Sequence, residues 1–142
     1  MNKNMQWLVP DRVIYWKLSG NVTMEDFRDG LVDISQILQG ANTKIHVMLN
    51  AREARSLQGD SKAVRNITRF IARDTQMGCF FVITSSFVVK HHMNRVTVDF
   101  GTQLRYSDTF RNAWNSLHNI DRNLPYAAPE KPEFAKSVRK FA

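Results

Sequence analysis

Cysteines, long apolar runs and the features of a signal peptide are scarce in this chain of 142 residues. The single cysteine, Cys79, excludes an intramolecular disulfide and favours a reducing compartment. The longest apolar run covers residues 79–83, far below the ~20 residues of a membrane-spanning helix. The opening Met-Asn-Lys-Asn is not followed by the apolar segment of a signal peptide. These absences predict a cytoplasmic protein without a membrane span.

The sequence motifs of common enzyme classes are also missing. There is no Gly-x-Ser-x-Gly, no Walker motif and no dinucleotide-binding fingerprint. The pair His91-His92 has no Cys, Asp or Glu four residues away, and adjacent helical residues do not face each other. The tripeptide Asp99-Phe100-Gly101 resembles a kinase motif, but the other kinase motifs are absent. The sequence therefore predicts no enzymatic activity, no metal and no cofactor.

The chain instead alternates short apolar runs with amphipathic segments. Residues 13–19 alternate with the period of two that is typical of a strand. In residues 44–49, Ile45, Val47 and Leu49 share one face and His46 and Met48 the other, and both faces are expected to be covered. The predicted strands cover residues 5–9, 13–19, 44–49, 79–84 and 103–106. The predicted helices run from Thr23 to Gln39, from Asp60 or Ser61 to about Asp74, from Ser85 or Ser86 to Gly101, and onward from Ser107.

Each predicted helix has one apolar face at the spacing of three to four residues. These faces comprise Phe27, Leu31, Ile34 and Leu38; Ala63, Ile67, Phe70 and Ile71; Val89, Met93, Val96 and Phe100; and Phe110, Ala113, Trp114 and Leu117. Gly40 is expected in a left-handed conformation after the first helix. The order ββαβαβαβα predicts an α/β domain over residues 1–123. It has a single, mostly parallel sheet of about five strands, the first antiparallel, and four helices.

The end of the chain has a different composition. Three of the four prolines lie within residues 125–132. Phe134, Val138 and Phe141 then recur at helical spacing among basic residues. We predict that residues 124–142 form a Pro-containing linker and a short basic amphipathic tail. Its apolar residues are expected to dock on the same domain or on a second copy, with a membrane surface as the alternative.

Charge is segregated between the first two helices of this chain, whose formal net charge is +7. The second predicted helix carries Lys62, Arg65, Arg69 and Arg73 as one stripe, and the first carries Asp26, Asp29 and Asp33. Two solvated faces would account for this pattern, and so would pairing between subunits or with a charged partner. Between the basic residues we expect Asn66 and Thr68 to be exposed rather than aromatic side chains, which argues against nucleic acid.

Two segments resemble the STAS-like, SpoIIAA-like domain family. "VIYWKLSGNVTMEDF" is similar to the family's opening strand, glycine turn and first helix, and "LRYSDTFRNAWNSL" is similar to its edge strand and last helix. The resemblance covers about residues 5–120 and implies a mostly parallel sheet with helices. It also implies varied roles. Anti-sigma-factor antagonists of this fold bind a kinase-like partner, other members are sensor or transporter modules, and others resemble lipid-binding domains.

The antagonists of this family are switched by phosphorylation of a serine at the start of the second helix. Here Ser61 lies near that place, at the end of a predicted loop over residues 49–61. The antagonists carry an Asp-Ser-Ser-Gly type sequence, whereas this chain has Gln-Gly-Asp-Ser at residues 58–61. Ser61 is therefore either a helix cap or a phosphorylation switch whose phosphate Lys62 and Arg65 would stabilise.

We predict a non-enzymatic STAS-like interaction or regulatory module that binds a protein partner or itself, with a homodimer as the expected assembly. The alternative is a domain of the same fold that binds a small molecule or lipid between its helices and sheet. The third choice is a binder of anionic surfaces through the basic second helix and the tail.

Overall fold

The computed structural model describes residues 1–125. Its strands are β1 (Met5–Val9), β2 (Val13–Thr23), β3 (Ile45–Gln58), β4 (Met77–Ile83) and β5 (Leu104–Ser107). Its helices are α1 (Met24–Gln39), α2 (Lys62–Arg73), α3 (Phe87–Val96) and α4 (Phe110–Ile120), with a 3₁₀ segment, Val98–Gln103, before β5. The strands form one sheet in the order β1-β2-β3-β4-β5, with β1 antiparallel to β2 and the other pairs parallel. The predicted fold class is confirmed.

The helices divide unequally between the two faces of the sheet. Buried residues of α1, α2 and α3 form one apolar cluster with the sheet, and those of α4 form a second cluster on the opposite face. Phe81 of β4 belongs to the second cluster and is 1% exposed. Strand β4 lies between β3 and β5 and is parallel to both, as expected of a central strand.

Strands β2 and β3 are much longer than the sequence predicts. They pair in parallel from Val13 opposite His46 to Thr23 opposite Gln58. The expected break at Gly20 is therefore wrong: Gly20 has φ 68° and lies inside β2, where the pairing register shifts. The expected loop over residues 49–61 is also wrong as far as Gln58, because the extended β2 supplies hydrogen-bonding partners for the backbone of β3.

Helix α1 begins and ends at the predicted residues. The side chain of Thr23 accepts a hydrogen bond from the backbone N–H of Asp26 at 3.0 Å, which is the predicted cap. The Phe27 ring stacks on Trp16 with a centroid distance of 5.2 Å, and a Cβ on Gly30 would overlap the same indole. Gly40 follows the helix with φ −97°, so the predicted left-handed conformation is wrong.

The predicted apolar face of α2 is wrong by part of a turn. Val64, Thr68 and Ile71 are buried, whereas Phe70 is 53% exposed and Ala63 is exposed. Burial of Thr68 is possible because its hydroxyl donates to the carbonyl of Arg65 at 2.9 Å. The helix therefore turns a different set of side chains to solvent.

The last two helices differ from the predicted ones only at their ends. All eight predicted core residues of these helices are buried: Val89, Met93, Val96, Phe100, Phe110, Ala113, Trp114 and Leu117. Phe100 belongs to the 3₁₀ segment rather than to α3. The cap of α4 is Thr109 instead of the expected Ser107.

The chain end beyond residue 125 is outside the described residues, and the predicted docking residues Phe134, Val138 and Phe141 belong to it. The proposed boundary between residues 123 and 124 stays a prediction, and Leu124 is 3% exposed in the cluster beside α4. Within residues 1–125, no helix combines the length and apolar character needed to cross a bilayer.

We expect Phe81→Asp to abolish cooperative unfolding, because an unpaired buried charge costs several kcal/mol against a total stability of about 5–15 kcal/mol. Phe87→Asp is the matched control, since Phe87 is 86% exposed at the first residue of α3. Thermal unfolding followed by circular dichroism measures both. A Phe81→Asp protein that melts like the wild type would contradict the central position of β4.

Candidate interaction surface

The junction between β3 and α2 sets the orientation of α2. Gly59 has φ 116°, a conformation that side chains disfavour, and a Cβ there would press on Met24. The Asp60 carboxylate accepts a hydrogen bond from the Lys62 backbone N–H at 2.9 Å, and the Ser61 side chain makes no capping hydrogen bond. Of the two candidate caps, Asp60 therefore takes the role, and the half-buried Ser61 keeps its hydroxyl out of it.

The basic side chains of α2 lie on its solvent side. Lys62, Arg65 and Arg73 are exposed, and Arg69 is half-buried with its Nε 3.8 Å from the Asp99 carboxylate. We call these four residues the basic face. Phe70 lies beside it and, together with Asn66, Arg69, Arg73 and Asp74, lines a shallow depression of about 340 Å³. The model thus brings together all four residues predicted from the helical spacing.

Phe70 changes the interpretation of this helix. The sequence predicts that Asn66 and Thr68 are exposed between the basic residues and that no aromatic residue is. Asn66 is exposed as expected, but Thr68 is buried and Phe70 takes its place at the surface. An exposed aromatic ring beside arginines is a composition that is enriched at binding interfaces.

The outward side of α1 is acidic. Glu25, Asp26 and Asp29 are exposed and Asp33 is half-buried, and we call these four residues the acidic face. Asp26 and Asp29 also border a groove of about 550 Å³ between α1, the end of β2 and the first residues of the chain. Asparagines Asn2, Asn4 and Asn21 line this groove as well, together with apolar side chains of β2 such as Leu18 and Val22.

A second exposed apolar site lies at the start of α3. Phe87 is 86% exposed and Val88 is 56% exposed, just after the carboxyl end of β4. The following residues, Lys90 and His91, contribute no acidic charge. Phe87 therefore offers a second place where a partner with an apolar pocket can bind, besides Phe70 and the basic face.

His46, the second residue of β3, lies in the core and has partners far along the chain. His46 is 3% exposed, and its Nδ1 accepts a hydrogen bond from the Cys79 backbone N–H at 2.9 Å. With Nδ1 as acceptor, Nε2 carries the proton and donates to the Asp121 carboxylate at 3.0 Å. Arg12 donates to the same carboxylate oxygen at 2.8 Å. This cluster fastens the end of α4 to the beginnings of β2 and β3, a contact across 75 residues of chain that no local pattern signals.

Burial sets the protonation of this cluster. It lowers the pKa of His46 below 6.5, and the hydrogen bond to Asp121 offsets the effect only in part. Burial would raise the pKa of Asp121, but hydrogen bonds from His46, Asn123 and Arg12 hold it below 3.8. The folded state therefore pairs a neutral imidazole with an ionised carboxylate.

Cys79, His46 and Asp121 are the residue types of a catalytic triad, but their geometry is different. Both ring nitrogens of His46 are engaged, by Asp121 and by the backbone of Cys79, so neither can take a proton from the thiol. Burial raises the pKa of Cys79, which disfavours the thiolate. Residues 1–125 contain no group of three or more His, Cys, Asp or Glu side chains placed to hold a metal ion.

Solved structures resemble this chain, among them two with a SpoIIAA-like fold. The anti-sigma factor antagonist SpoIIAA in its unphosphorylated form matches with a TM-score of 0.57 and 18% identity, over 81% of this chain and 96% of that one. An uncharacterized DUF3478-family protein with a SpoIIAA-like fold, from Shewanella loihica PV-4, matches with a TM-score of 0.55 and 15% identity, over 80% and 90%. No family model and no curated protein matches the sequence. The chain therefore has a SpoIIAA-like fold, as the resemblance of its two segments implies.

We expect the buried imidazole to make stability depend on pH in a defined window. Because the folded-state pKa of His46 is lowered, its contribution is complete above pH 6.5 and is lost as the pH falls towards the folded-state value. Urea unfolding at about pH 7.5 and about pH 5 should show a loss of stability in the wild type that is smaller in His46→Gln.

The shift of Asp121 does not interfere with this measurement, since it acts near and below pH 3.8. His91→Gln/His92→Gln, on the surface of α3, is the control and should retain the full pH dependence. Equal pH dependence in the wild type and His46→Gln would contradict the burial of a neutral imidazole.

Proposed function

We propose that this domain is a non-enzymatic interaction or regulatory module that binds a protein partner through α2. The observation that carries the proposal is the exposed Phe70 next to the basic face of α2. Arginine and aromatic side chains dominate binding energy at protein interfaces because they combine apolar area with directed hydrogen bonds. Exposed arginines on one helix face also attract an acidic surface and orient it during approach.

The fold is consistent with this role. SpoIIAA, one of the similar solved structures, is an anti-sigma factor antagonist. On this chain, the same fold leaves the solvent side of α2 uncovered by any other described element. The engaged nitrogens of His46 and the raised pKa of Cys79 further support a role without catalysis. We propose a cytoplasmic location because a lone cysteine suits a reducing compartment.

Ser61 supports a regulatory version of the same function. Its hydroxyl is not used in capping, and it precedes the exposed Lys62 in the chain. A phosphate there would add about −1.5 to −2 charges next to the basic face and weaken its attraction for an acidic partner. The tail residues Phe134, Val138 and Phe141 stay predicted as a second docking element.

The groove beside α1 favours one alternative function. Its volume of about 550 Å³ suits a small molecule, and its asparagine and aspartate side chains offer polar contacts beside the apolar Leu18 and Val22. The exposed Phe70 also weakens the argument against nucleic acid, since a ring beside arginines can stack on a base. Capture of nucleic acid is one outcome of the binding experiment.

We expect Arg65→Glu/Arg73→Glu to abolish partner binding without lowering stability, because both side chains are exposed and neither has a described ion pair. Arg69 is left intact because it contacts Asp99. The measurement is retention of partner proteins from nuclease-treated extract on the immobilised full chain. Proteins that bind the wild type should be lost from the double variant and from Phe70→Ala.

The matched control for this experiment is Arg111→Glu/Arg122→Glu, which makes the same change of net charge on the opposite face of the sheet. It should retain the partner at the wild-type level. If both double variants lost the partner equally, the loss would reflect net charge and not the position of the arginines. The proposal would be contradicted if the α2 variant retained the partner proteins. It would also be contradicted if untreated extract yielded only nucleic acid.

A further inference from the structure

We propose that the partner of the α1–α2 surface is a second copy of this chain. In the resulting symmetric dimer, the acidic face of each copy lies against the basic face of the other. This inference rests on the proposed interaction function and names its partner.

Helices α1 and α2 form one continuous surface. Each connects two neighbouring parallel strands, β2 to β3 and β3 to β4, so both helices run in the same direction across the same face of the sheet. They also pack directly against each other. Their solvent sides therefore make a two-helix platform whose two halves come from adjacent segments of sequence.

The platform is divided by charge. Helix α1 carries the four acidic residues of the acidic face and one basic residue, Arg28, whereas α2 carries the four basic residues and no acidic one. A surface with one acidic and one basic half can complement itself, which a uniformly charged surface cannot do. Closed dimers use such isologous contacts, in which the same patch serves both copies.

The charges also select the orientation of the two-fold axis. An axis in the plane of the interface and parallel to the helices places α1 of one copy over α2 of the other, acid against base. An axis in the same plane but perpendicular to the helices would place α1 over α1 and α2 over α2. That second arrangement opposes like charges and is disfavoured.

Phe70 lies close to the favoured axis. Arg69 faces Asp99 of the 3₁₀ segment, which packs on the side of α2 away from α1. A residue advances by about 100° around a helix, so Phe70 passes the outward direction and lies on the α1 side. The two copies of Phe70 would thus meet near the middle of the interface, surrounded by charged pairs. An apolar centre with a polar rim is the usual anatomy of a protein interface.

Sedimentation velocity of the purified full chain over a concentration series tests this dimer. The wild type should associate, and added salt should weaken the association because the rim is charged. Arg65→Glu/Arg73→Glu leaves the basic face with two basic and two acidic residues, and Asp29→Arg/Asp33→Arg does the same to the acidic face. Each variant alone should be monomeric, since both contacts then set a fully charged face against one without net charge. Circular dichroism melting confirms that each variant is folded.

Mixing the two monomeric variants is the decisive step. In the heterodimer, the intact acidic face of the α2 variant lies against the intact basic face of the α1 variant, so the mixture should form a dimer with the wild-type mass. Arg111→Glu/Arg122→Glu has the same net charge as the α2 variant and should remain a homodimer, because its platform is unchanged.

A wild type that is monomeric at all concentrations would overturn the dimer, and so would a mixture that fails to associate. These outcomes are separable from a failure of the proposed function. If the wild type is monomeric but captures an extract protein that Arg65→Glu/Arg73→Glu does not capture, the module binds another protein there and the second copy is wrong. If neither association nor capture depends on these arginines, both proposals are wrong.

Discussion

The parallel pairing of β2 with β3 determines how the two charged helices, α1 and α2, are placed on the surface of this domain. The two strands stay in contact from Val13 and His46 at one end to Thr23 and Gln58 at the other. Because the strands are parallel, α1 must cross the sheet to connect them, and α2 must cross it again to reach β4. Both helices therefore start at the same end of the sheet and run side by side. The segregated charges of the surface follow from this arrangement and from the sequences of the two helices.

The sequence predicts the elements that a local periodicity defines. It misses the features that depend on a partner far along the chain. The apolar faces of α1 and α4 and the buried run of β4 follow from spacing alone. The second half of β3, Ala-Arg-Glu-Ala-Arg-Ser, has weak strand propensity, and its pairing with β2 overrides that propensity. In α2, ranking Phe70 above Thr68 by hydrophobicity gives the wrong face, because Thr68 satisfies its hydroxyl within the helix. The partners of His46 lie too far along the chain to be predicted.

The candidate site shows the same division. The basic residues of α2 are predicted by their spacing alone, while the aromatic residue beside them is revealed only by the orientation of the helix. At the end of β3, Asp60 takes the capping role and leaves Ser61 next to the basic charges with an unused hydroxyl. The proposed modification point, Ser61, thus lies beside the proposed contact surface. The buried His46–Asp121 contact lies at the other end of the strands and stabilises the scaffold.

The central claim is that the solvent sides of α1 and α2 form the contact surface of this protein. A dilution series of ¹H–¹⁵N NMR spectra on the full chain tests it residue by residue without any substitution. The account predicts concentration-dependent shifts that cluster on the outward residues of α1 and α2, with Asp29 and Phe70 among the largest. Spectra that do not change with concentration, or shifts centred on Phe87 and Val88 or on α4, would contradict it.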